Sequence, residues 1–353
     1  MTERKAGQAD TVPASSPPQP PATLSAATAG VLQLLRRNRP RNRKGVPEEL
    51  HPDPPFVPKS VFMHLGDLVK AAERPPGPRV PGERWISLRL DGRGFGRFVR
   101  ALQAAGALGT SNGYSPEFAE LMQESLLRLM NEFNAACGYT QSDEMTVLIS
   151  ATRVVRGAQQ PHAYNGRVQK IGSLAASVVT SVFNFRLVEL CQRKKVALRG
   201  PEMLGLFDCR VGSYASRDEA LSVVLWRAYD CGVNGVSDAV HKLKGDAPVV
   251  EGCEGSEGAK LETKSISRKK AILMDTNKKL LWLKERGMLP LPDHQATGSF
   301  YRKVLGEKTA FNKQLKKEVT CLRSVVEKVK GNVLELARDG NLLPEISADE
   351  KKE

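Results

Sequence analysis

The chain has 353 residues, which allows one large or two modest domains with a sizeable core. Its 53 Lys and Arg residues outnumber 39 Asp and Glu residues, and the net charge of +14 favours a polyanionic partner such as nucleic acid. The six cysteines lack the spacing of a zinc site or a disulfide framework, and no apolar run approaches the roughly 20 residues that span a membrane. We therefore expect a soluble protein of a reducing compartment, with no membrane partner.

The first segment, residues 1–55, is rich in Pro, Ala and Ser and carries a basic cluster between Arg36 and Lys44. This composition cannot bury enough apolar surface to offset the entropy of ordering, so it predicts a disordered extension. Two interpretations remain open. The segment is either a transit peptide, which would give a mitochondrial rather than a cytoplasmic location, or a basic arm that contacts RNA.

The body of the chain, residues 56–306, alternates strand-like and helix-like patterns. Strands are predicted over 85–90, 145–149 and 206–215; helices are predicted over 115–133, 166–194 and 217–245, the last broken near Gly232 or Gly235. This order predicts an α/β (α+β) domain with a mainly antiparallel sheet and helices on one face.

The last segment, residues 307–353, has apolar residues at spacings of four and three from Phe311 to Leu336. This spacing predicts a helix that packs lengthwise on another helix. We expect a basic, helical C-terminal extension that packs on the body rather than a self-associating coiled coil. The stretch 245–260 is interpreted as an insertion or a mobile loop.

The first candidate for chemistry is the glycine-rich stretch "DGRGFGRF", which follows the predicted strand and begins at Asp91. Glycines at 92, 94 and 96 allow a tight turn that exposes backbone amides, and successive amides can bind phosphate oxygens. The alternative is an ordinary tight turn, because the spacing matches neither the dinucleotide fingerprint nor the P-loop.

The second candidate is the carboxylate pair Asp143 and Glu144, which immediately precedes another predicted strand. A hairpin turn within "YTQSDEMTV" would bring Asp143 next to the C-terminal end of the first strand. Two carboxylates from separate strands, beside a phosphate-binding turn, are what two Mg²⁺ ions and a nucleoside triphosphate need. An ordinary acidic turn is the alternative.

Five stretches together resemble the tRNA(His) guanylyltransferase family, including its template-dependent tRNA-repair branch. They are "RLDGRGFGRF", "YTQSDEMTVLI", "YNGRVQKIGSLAASVVTSVF", "FDCRV" and "LWRAYDCGVNGVSDAV". The resemblance implies a polymerase-like palm domain, a homo-oligomer (tetramer or dimer), and nucleotide addition in the 3′-to-5′ sense at a tRNA 5′ end. It also implies GTP, ATP or another NTP as the second substrate.

Carried over to this sequence, the resemblance implies that Asp91 and Asp143 bridge two Mg²⁺ ions, with the Gly92 carbonyl as a further ligand and Glu144 as a supporting catalytic residue. It further implies a set of nucleotide-binding residues: Asp91, Gly92, Arg93, Gly94, Phe95, Gly96, Ser142, Asp143, Arg167, Lys170, Ser173 and Asn234.

The sequence departs from the family at two places. Gly96 stands where eukaryotic members commonly have His, and "GVNG" at 232–235 replaces a His-Ile-Asn-Asn stretch, of which only Asn234 survives. These departures favour templated 5′-end repair over obligatory G addition with ATP activation. Two other interpretations remain: a nucleotide cyclase with the same palm, and a non-catalytic RNA-binding relative.

Overall fold

The computed structural model describes residues 23–37, 58–74, 77–109, 115–242, 267–312 and 317–343. The predicted loop at 245–260 lies outside these ranges. Within them, six strands form one sheet and two short strands form a separate hairpin. The strands are β1 (Trp85–Gly92), β2 (Cys137–Gln141), β3 (Glu144–Ile149), β4 (Val154–Val155), β5 (Ala158–Gln159), β6 (Phe207–Tyr214), β7 (Ser299–Asn312) and β8 (Lys317–Val329).

The six-stranded sheet has the order β6-β1-β3-β2-β7-β8, and every neighbouring pair is antiparallel. The predicted fold class, a mixed α/β domain around an antiparallel sheet, is therefore confirmed. The helices of the described ranges are α1 (Leu24–Arg37), α2 (Lys59–Ala72), α3 (Phe95–Ala104), α4 (Pro116–Glu132), α5 (Val168–Arg193), α6 (Arg217–Lys242), α7 (Arg268–Ala271), α8 (Thr276–Lys284), α9 (Asp293–Ala296) and α10 (Val333–Arg338).

Helices cover both faces of the sheet, so the prediction of helices on one face was wrong. The side chains of β1 alternate, with Leu88 and Leu90 in a core that also contains α3, α4 and α5. The opposite face packs against α1, α2, α6 and α10 in a second core. A third, smaller cluster joins the end of α6 to α7, α8 and α9.

The N-terminal helix α1 corrects the prediction that all of residues 1–55 are disordered. Val31 and Leu35 are fully buried in the second core. The Pro- and Ala-rich composition of this segment made its short apolar stripe hard to recognise. In the structure this stripe packs against the second core. Residues 1–22 and 38–57 lie outside the described ranges, so the domain division near residue 55 stays a prediction.

The C-terminal segment corrects a second prediction, because it forms a β-hairpin rather than a long helix. β7 and β8 pair from Phe300 with Val329 to Asn312 with Lys317, and β7 crosses the boundary predicted at residue 306. β7 also pairs with β2, which extends the central sheet. The helix that follows, α10, has only 6 residues. The valines and threonines of this segment favour strands, and sheet pairing decides the outcome.

Two helices differ from expectation in other ways. α6 continues through Gly232 and Gly235 without the predicted break, and a Cβ at Gly235 would lie 2.0 Å from the carbonyl oxygen of Gln295. The absence of a side chain at Gly235 therefore allows α6 to pack closely against Gln295. α5 is long and apolar enough, by length and composition alone, to cross a membrane, a test that core helices of soluble proteins also pass. Its buried residues Ile171, Val179 and Phe183 belong to the first core.

Candidate functional site

The ends of three strands meet where β1 finishes. The amide of Gly92 donates to the carbonyl of Asp143 at 3.0 Å, and the amide of Arg93 donates to the carbonyl of Leu206 at 2.8 Å. Asp91 is paired across the sheet with Glu144 of β3. The predicted proximity of Asp143 to the end of the first strand is confirmed.

The turn between β2 and β3 consists of only Ser142 and Asp143, because Gln141 is already paired with Glu144. Ser142 has a φ of 49°, in the left-handed region that tight hairpin turns require. The turn therefore lies beside the end of β1, and both of its residues are partly exposed.

The glycine-rich turn connects β1 to α3. Gly94 has a φ of 71° and lies at the N-cap of α3, which begins at Phe95. The first N–H groups of a helix have no partner within the helix, and the helix dipole favours an anion at that end. Gly94 and Gly96 are exposed, so their backbone is open to a ligand. This arrangement has the form of a phosphate-binding turn.

The side chain of Phe95 points away from the turn into the first core. Its ring lies 4.7 Å from that of Phe98 and 4.9 Å from that of Phe207, measured between centroids. A Cβ at Gly92 would come within 2.4 Å of the Phe95 ring. Of the predicted nucleotide-binding residues, Phe95 can therefore offer a ligand only its backbone, and it fixes the shape of the turn.

Glu144 is held between two arginines. It forms ion pairs with Arg89 of β1, at 3.6 Å, and with Arg227 of α6. Burial raises the pKa of Glu144 to about 7; Arg227 and Arg89 oppose this shift, while the charge of Asp91 adds to it. Because the Glu144 carboxylate is already paired with these two arginines, we expect it to support the site through these ion pairs.

Asp208 is a carboxylate that the sequence analysis missed. It pairs across the sheet with Asp91, on the side opposite to Glu144, and it is exposed. The stretch "FDCRV" contained the signal, but only the antiparallel register of β6 with β1 brings Asp208 beside Asp91. The three acids form one row across the sheet end.

Arg167, Lys170 and Ser173 are exposed near the start of α5. α5 reaches the carboxylate end near Phe183, whose ring packs on Phe95. Arg167 lies about 24 Å from Phe183 along the helix axis, at 1.5 Å per residue. Between Lys170 and Ser173, a Cβ at Gly172 would lie 3.8 Å from the carbonyl oxygen of Cys209, the residue after Asp208. The role of these three residues in phosphate binding stays a prediction.

Asn234 is exposed on α6, seven residues after Arg227. That separation places it on the same side of the helix and about 10 Å further along the axis. Since Arg227 contacts Glu144, Asn234 lies beyond the carboxylate row, at the rim of the site. Its position is compatible with a contact to a bound nucleotide.

The oxygens at the sheet end suit a hard cation. Asp91 and Asp143 offer carboxylates, and Mg²⁺ is commonly bound by one or two carboxylates together with substrate phosphates. Within the described ranges no group of three or more His, Cys, Asp and Glu side chains is gathered closely enough to hold a metal by itself. The residues therefore fit a cation that is completed by a triphosphate, rather than a metal held by protein ligands alone.

Comparison with known proteins identifies this region. Residues 66–215, which carry Asp91, the Ser142–Asp143 turn and Asp208, match the family model of tRNA(His) guanylyltransferases. This segment belongs to the tRNA(His) guanylyltransferase family. The family match includes β1, β3 and β6 but ends before α6 and before the β7–β8 hairpin.

One curated relative is an uncharacterized protein of Acanthamoeba polyphaga mimivirus, 27% identical over 197 residues, which are 52% of this chain and 65% of the relative. The chain thus spans less than two thirds of that relative's length.

Similar solved structures include a bacterial tRNA(His) guanylyltransferase-like protein in complex with GTP, 19% identical, covering 80% of this chain and 96% of that chain with a TM-score of 0.48. The same kind of protein in complex with ATP is 21% identical, covers 79% and 97%, and has a TM-score of 0.49. The tRNA(His) guanylyltransferase from Saccharomyces cerevisiae is 16% identical, covers 62% and 85%, and has a TM-score of 0.46.

Proposed function

We propose that this chain is a nucleotidyltransferase that adds GMP or other nucleotides to the 5′ end of a tRNA in the 3′-to-5′ sense, following the opposing base as a template. The observation that carries the proposal is the meeting of Asp91 and Asp143 beside the N-terminus of α3, within the segment that matches the family. A triphosphate and divalent cations would bind there together.

The proposed reaction begins with an activated tRNA 5′ end, which is either a triphosphate or an adenylylated phosphate. The 3′-hydroxyl of the incoming nucleotide attacks the tRNA phosphorus. A phosphodiester bond forms, the bond to pyrophosphate or AMP breaks, and the hydroxyl proton leaves to solvent. Two Mg²⁺ ions, when bound, would lower the pKa of the attacking hydroxyl and neutralise the leaving group.

The residues of the site have distinct tasks in this proposal. Asp91, Asp143 and the carbonyl of Gly92 would hold the cations. The amides of Gly94, Phe95 and Gly96 would donate to phosphate oxygens.

Arg93 and Ser142 would add a charge and a hydroxyl donor at the rim. Such fixed donors act by positioning the phosphates and by stabilising the charge that develops on them.

The departures at residues 96 and 232–235 support templated repair over obligatory G addition. Gly235 is packed against the Gln295 carbonyl, so a larger residue at that position would clash. The loss of the family's Asn there is thus built into the packing of α6. A site without the family's usual His and Asn residues has fewer means to activate the 5′ end with ATP.

The test is incorporation of labelled nucleotides into 5′-triphosphorylated tRNAs that lack one or more 5′ nucleotides, with each NTP supplied separately. Addition that follows the opposing base is expected. G addition alone would indicate guanylylation, and pyrophosphate release from an NTP without tRNA would favour the cyclase. No incorporation by the wild-type protein would contradict the proposal.

The metal assignment is tested with Asp91→Asn and Asp143→Asn in the same assay. Each substitution should lower the transfer rate by about 100-fold or more, because it removes a negative charge that would hold the cations against the phosphates. The matched control is Asp218→Asn, an exposed acid in the first turn of α6. Wild-type rates in either site variant would contradict the assignment.

A further inference from the structure

A chain of alternating charges passes through Glu144, the β3 member of the carboxylate row. It consists of Glu73, Arg89, Glu144, Arg227 and Asp230, which we call the charge chain. Glu73 accepts from Nε and Nη2 of Arg89, both at 2.6 Å. Arg89 pairs with Glu144, Glu144 pairs with Arg227, and Arg227 pairs with Asp230 at 2.9 Å.

The inner members of the charge chain are buried. The side chains of Glu73 and Arg89 are 5% and 4% exposed, and those of Glu144 and Arg227 are 11% exposed. The ring of Trp226 lies 4.8 Å from the Arg227 guanidinium and 5.5 Å from that of Arg89. Buried ion pairs often contribute little net stability, because desolvation offsets the attraction. A role in stability alone therefore explains the charge chain poorly.

The charge chain connects the two strands that carry the carboxylates. Arg89 precedes Asp91 by two residues and so lies on the same face of β1, while Glu144 directly follows Asp143. The Arg89–Glu144 pair therefore fixes β1 against β3 one step behind the site. Arg227 adds α6 to this connection, and Glu73, at the C-cap of α2, adds α2.

The same contacts give Glu144 a different role from that of Asp91 and Asp143. Asp91, Asp143, Glu144 and Asp208 are close at one sheet end, and like charges there repel. Arg89 and Arg227 balance the charge of Glu144 within the protein. The binding of a cation then falls to Asp91 and Asp143, whose relative position depends on where Glu144 is held.

We propose that Glu73, Arg89 and Arg227 are positioning residues, which hold Glu144 and thereby set the relation of Asp143 to Asp91 for cation and triphosphate binding. This inference rests on the proposed function. Residues that orient metal ligands without touching the metal typically change metal affinity by about 10–100-fold when they are replaced.

The experiment compares Arg227→Met, Arg227→Lys and Glu73→Gln with wild type. For Arg227→Met we expect the Mg²⁺ concentration for half-maximal transfer to rise about 10-fold and kcat to fall about 10-fold, with KM for tRNA within about twofold. Arg227→Lys keeps the charge and should recover most of kcat. Glu73→Gln should shift the Mg²⁺ dependence in the same direction by a smaller factor.

Binding of GTP in the presence of Mg²⁺, followed by calorimetry, is a second readout that does not depend on transfer. GTP affinity should fall in the same order of variants as the transfer activity. If the wild-type protein transfers no nucleotide, the proposed function is wrong, but GTP binding still tests this inference. Arg128→Met is the matched control, since Arg128 is an exposed arginine in an ion pair on α4.

A purely structural role predicts a different result. Arg227→Met and Glu73→Gln would then lower the melting temperature, but their Mg²⁺ dependence, kcat and GTP affinity would equal those of the Arg128→Met control. That result would show that the inference is wrong. If Arg227→Met fails to fold, the other two variants decide the question. Glu73→Gln changes the charge chain at its other end, and Arg227→Lys keeps the positive charge.

Discussion

The shape of the glycine-rich turn depends on the contact between Gly92 and Phe95. The Phe95 ring is anchored by four other phenylalanines of the first core: Phe98, Phe118, Phe183 and Phe207. It therefore cannot move aside for a side chain at residue 92. The neighbouring Gly96 is different, because a Cβ there would meet only the Arg100 guanidinium, at 3.8 Å.

These two glycines give a matched pair of variants. Gly92→Ala should lower the free energy of unfolding by about 1–3 kcal/mol, the usual range for overpacking, and should weaken GTP binding with Mg²⁺. Gly96→Ala should leave stability unchanged or raise it by about 0.5 kcal/mol, because alanine is favoured in a helix. Urea denaturation and calorimetry measure both. Equal effects of the two variants would contradict the role given to Phe95.

At this scale the sequence predicted part of the site. Asp91 and Asp143 could be found because each stands at the boundary of a strand pattern. Asp208, Arg227 and Glu73 could not, since their relevance comes from strand register and from helices that return to the sheet from distant parts of the chain. Local patterns indicate where a strand ends, but they do not indicate which side chains cross to meet it.

Among the elements, α4 and α5 are joined by the Glu117 carboxylate. Ser115 caps α4, with its Oγ accepting from the amide of Phe118 at 3.3 Å. Glu117 accepts from Lys194, just after α5, and from the Ser115 hydroxyl, both at 2.5 Å. These two hydrogen bonds lower the pKa of Glu117 to about 2.

The pH dependence follows from this shift. A carboxylate with a lowered pKa contributes stability above its unfolded value of 4.5, and that contribution is lost as the pH falls toward about 2. Between pH 4.5 and 2.5 the wild type should lose about 1–2 kcal/mol more than Glu117→Gln, allowing for solvent screening. Glu120→Gln, an exposed acid of the same helix, is the control and should follow the wild type. Identical acid curves for all three proteins would refute this.

The C-terminal hairpin shows why the elements were only partly predictable. A spacing of four and three indicated a helix, yet residues Ser299–Asn312 and Lys317–Val329 are strands. β7 pairs with the edge of the sheet at β2. The residue pattern of a segment does not show whether an unpaired strand edge elsewhere in the fold can accept it. The helix α4 was predictable because its apolar periodicity, its Ser115 cap and its length agree.

At the scale of the whole molecule, the second layer of helices is the main addition to the predicted architecture. It begins with α1, which precedes the family-matching segment and contacts α2, α6 and α10. Removing residues 1–55 to test an RNA-binding arm would therefore also expose the second core. A truncation that ends at residue 22 keeps α1 and separates the two effects.

The contribution of α1 can be measured directly. Leu35 is fully buried, so Leu35→Ala should lower the free energy of unfolding by about 2–5 kcal/mol. Gln33 is exposed on the same helix, and Gln33→Ala should change stability by less than about 0.5 kcal/mol. Denaturation with urea compares the two. A Leu35→Ala protein as stable as the control would mean that α1 does not cover the core in solution.

The two-residue turn at Ser142 and Asp143 constrains the chain in length as well as in chemistry. Side chains of a strand change face at every step, so one residue inserted or deleted there would turn Met145 and Val147 out of the first core and send Glu144 away from its arginines. Exchanging a residue type at this turn keeps the strand register, whereas changing the number of residues shifts the register and threatens the fold. Engineers who wish to graft a longer loop onto this protein should therefore choose another site.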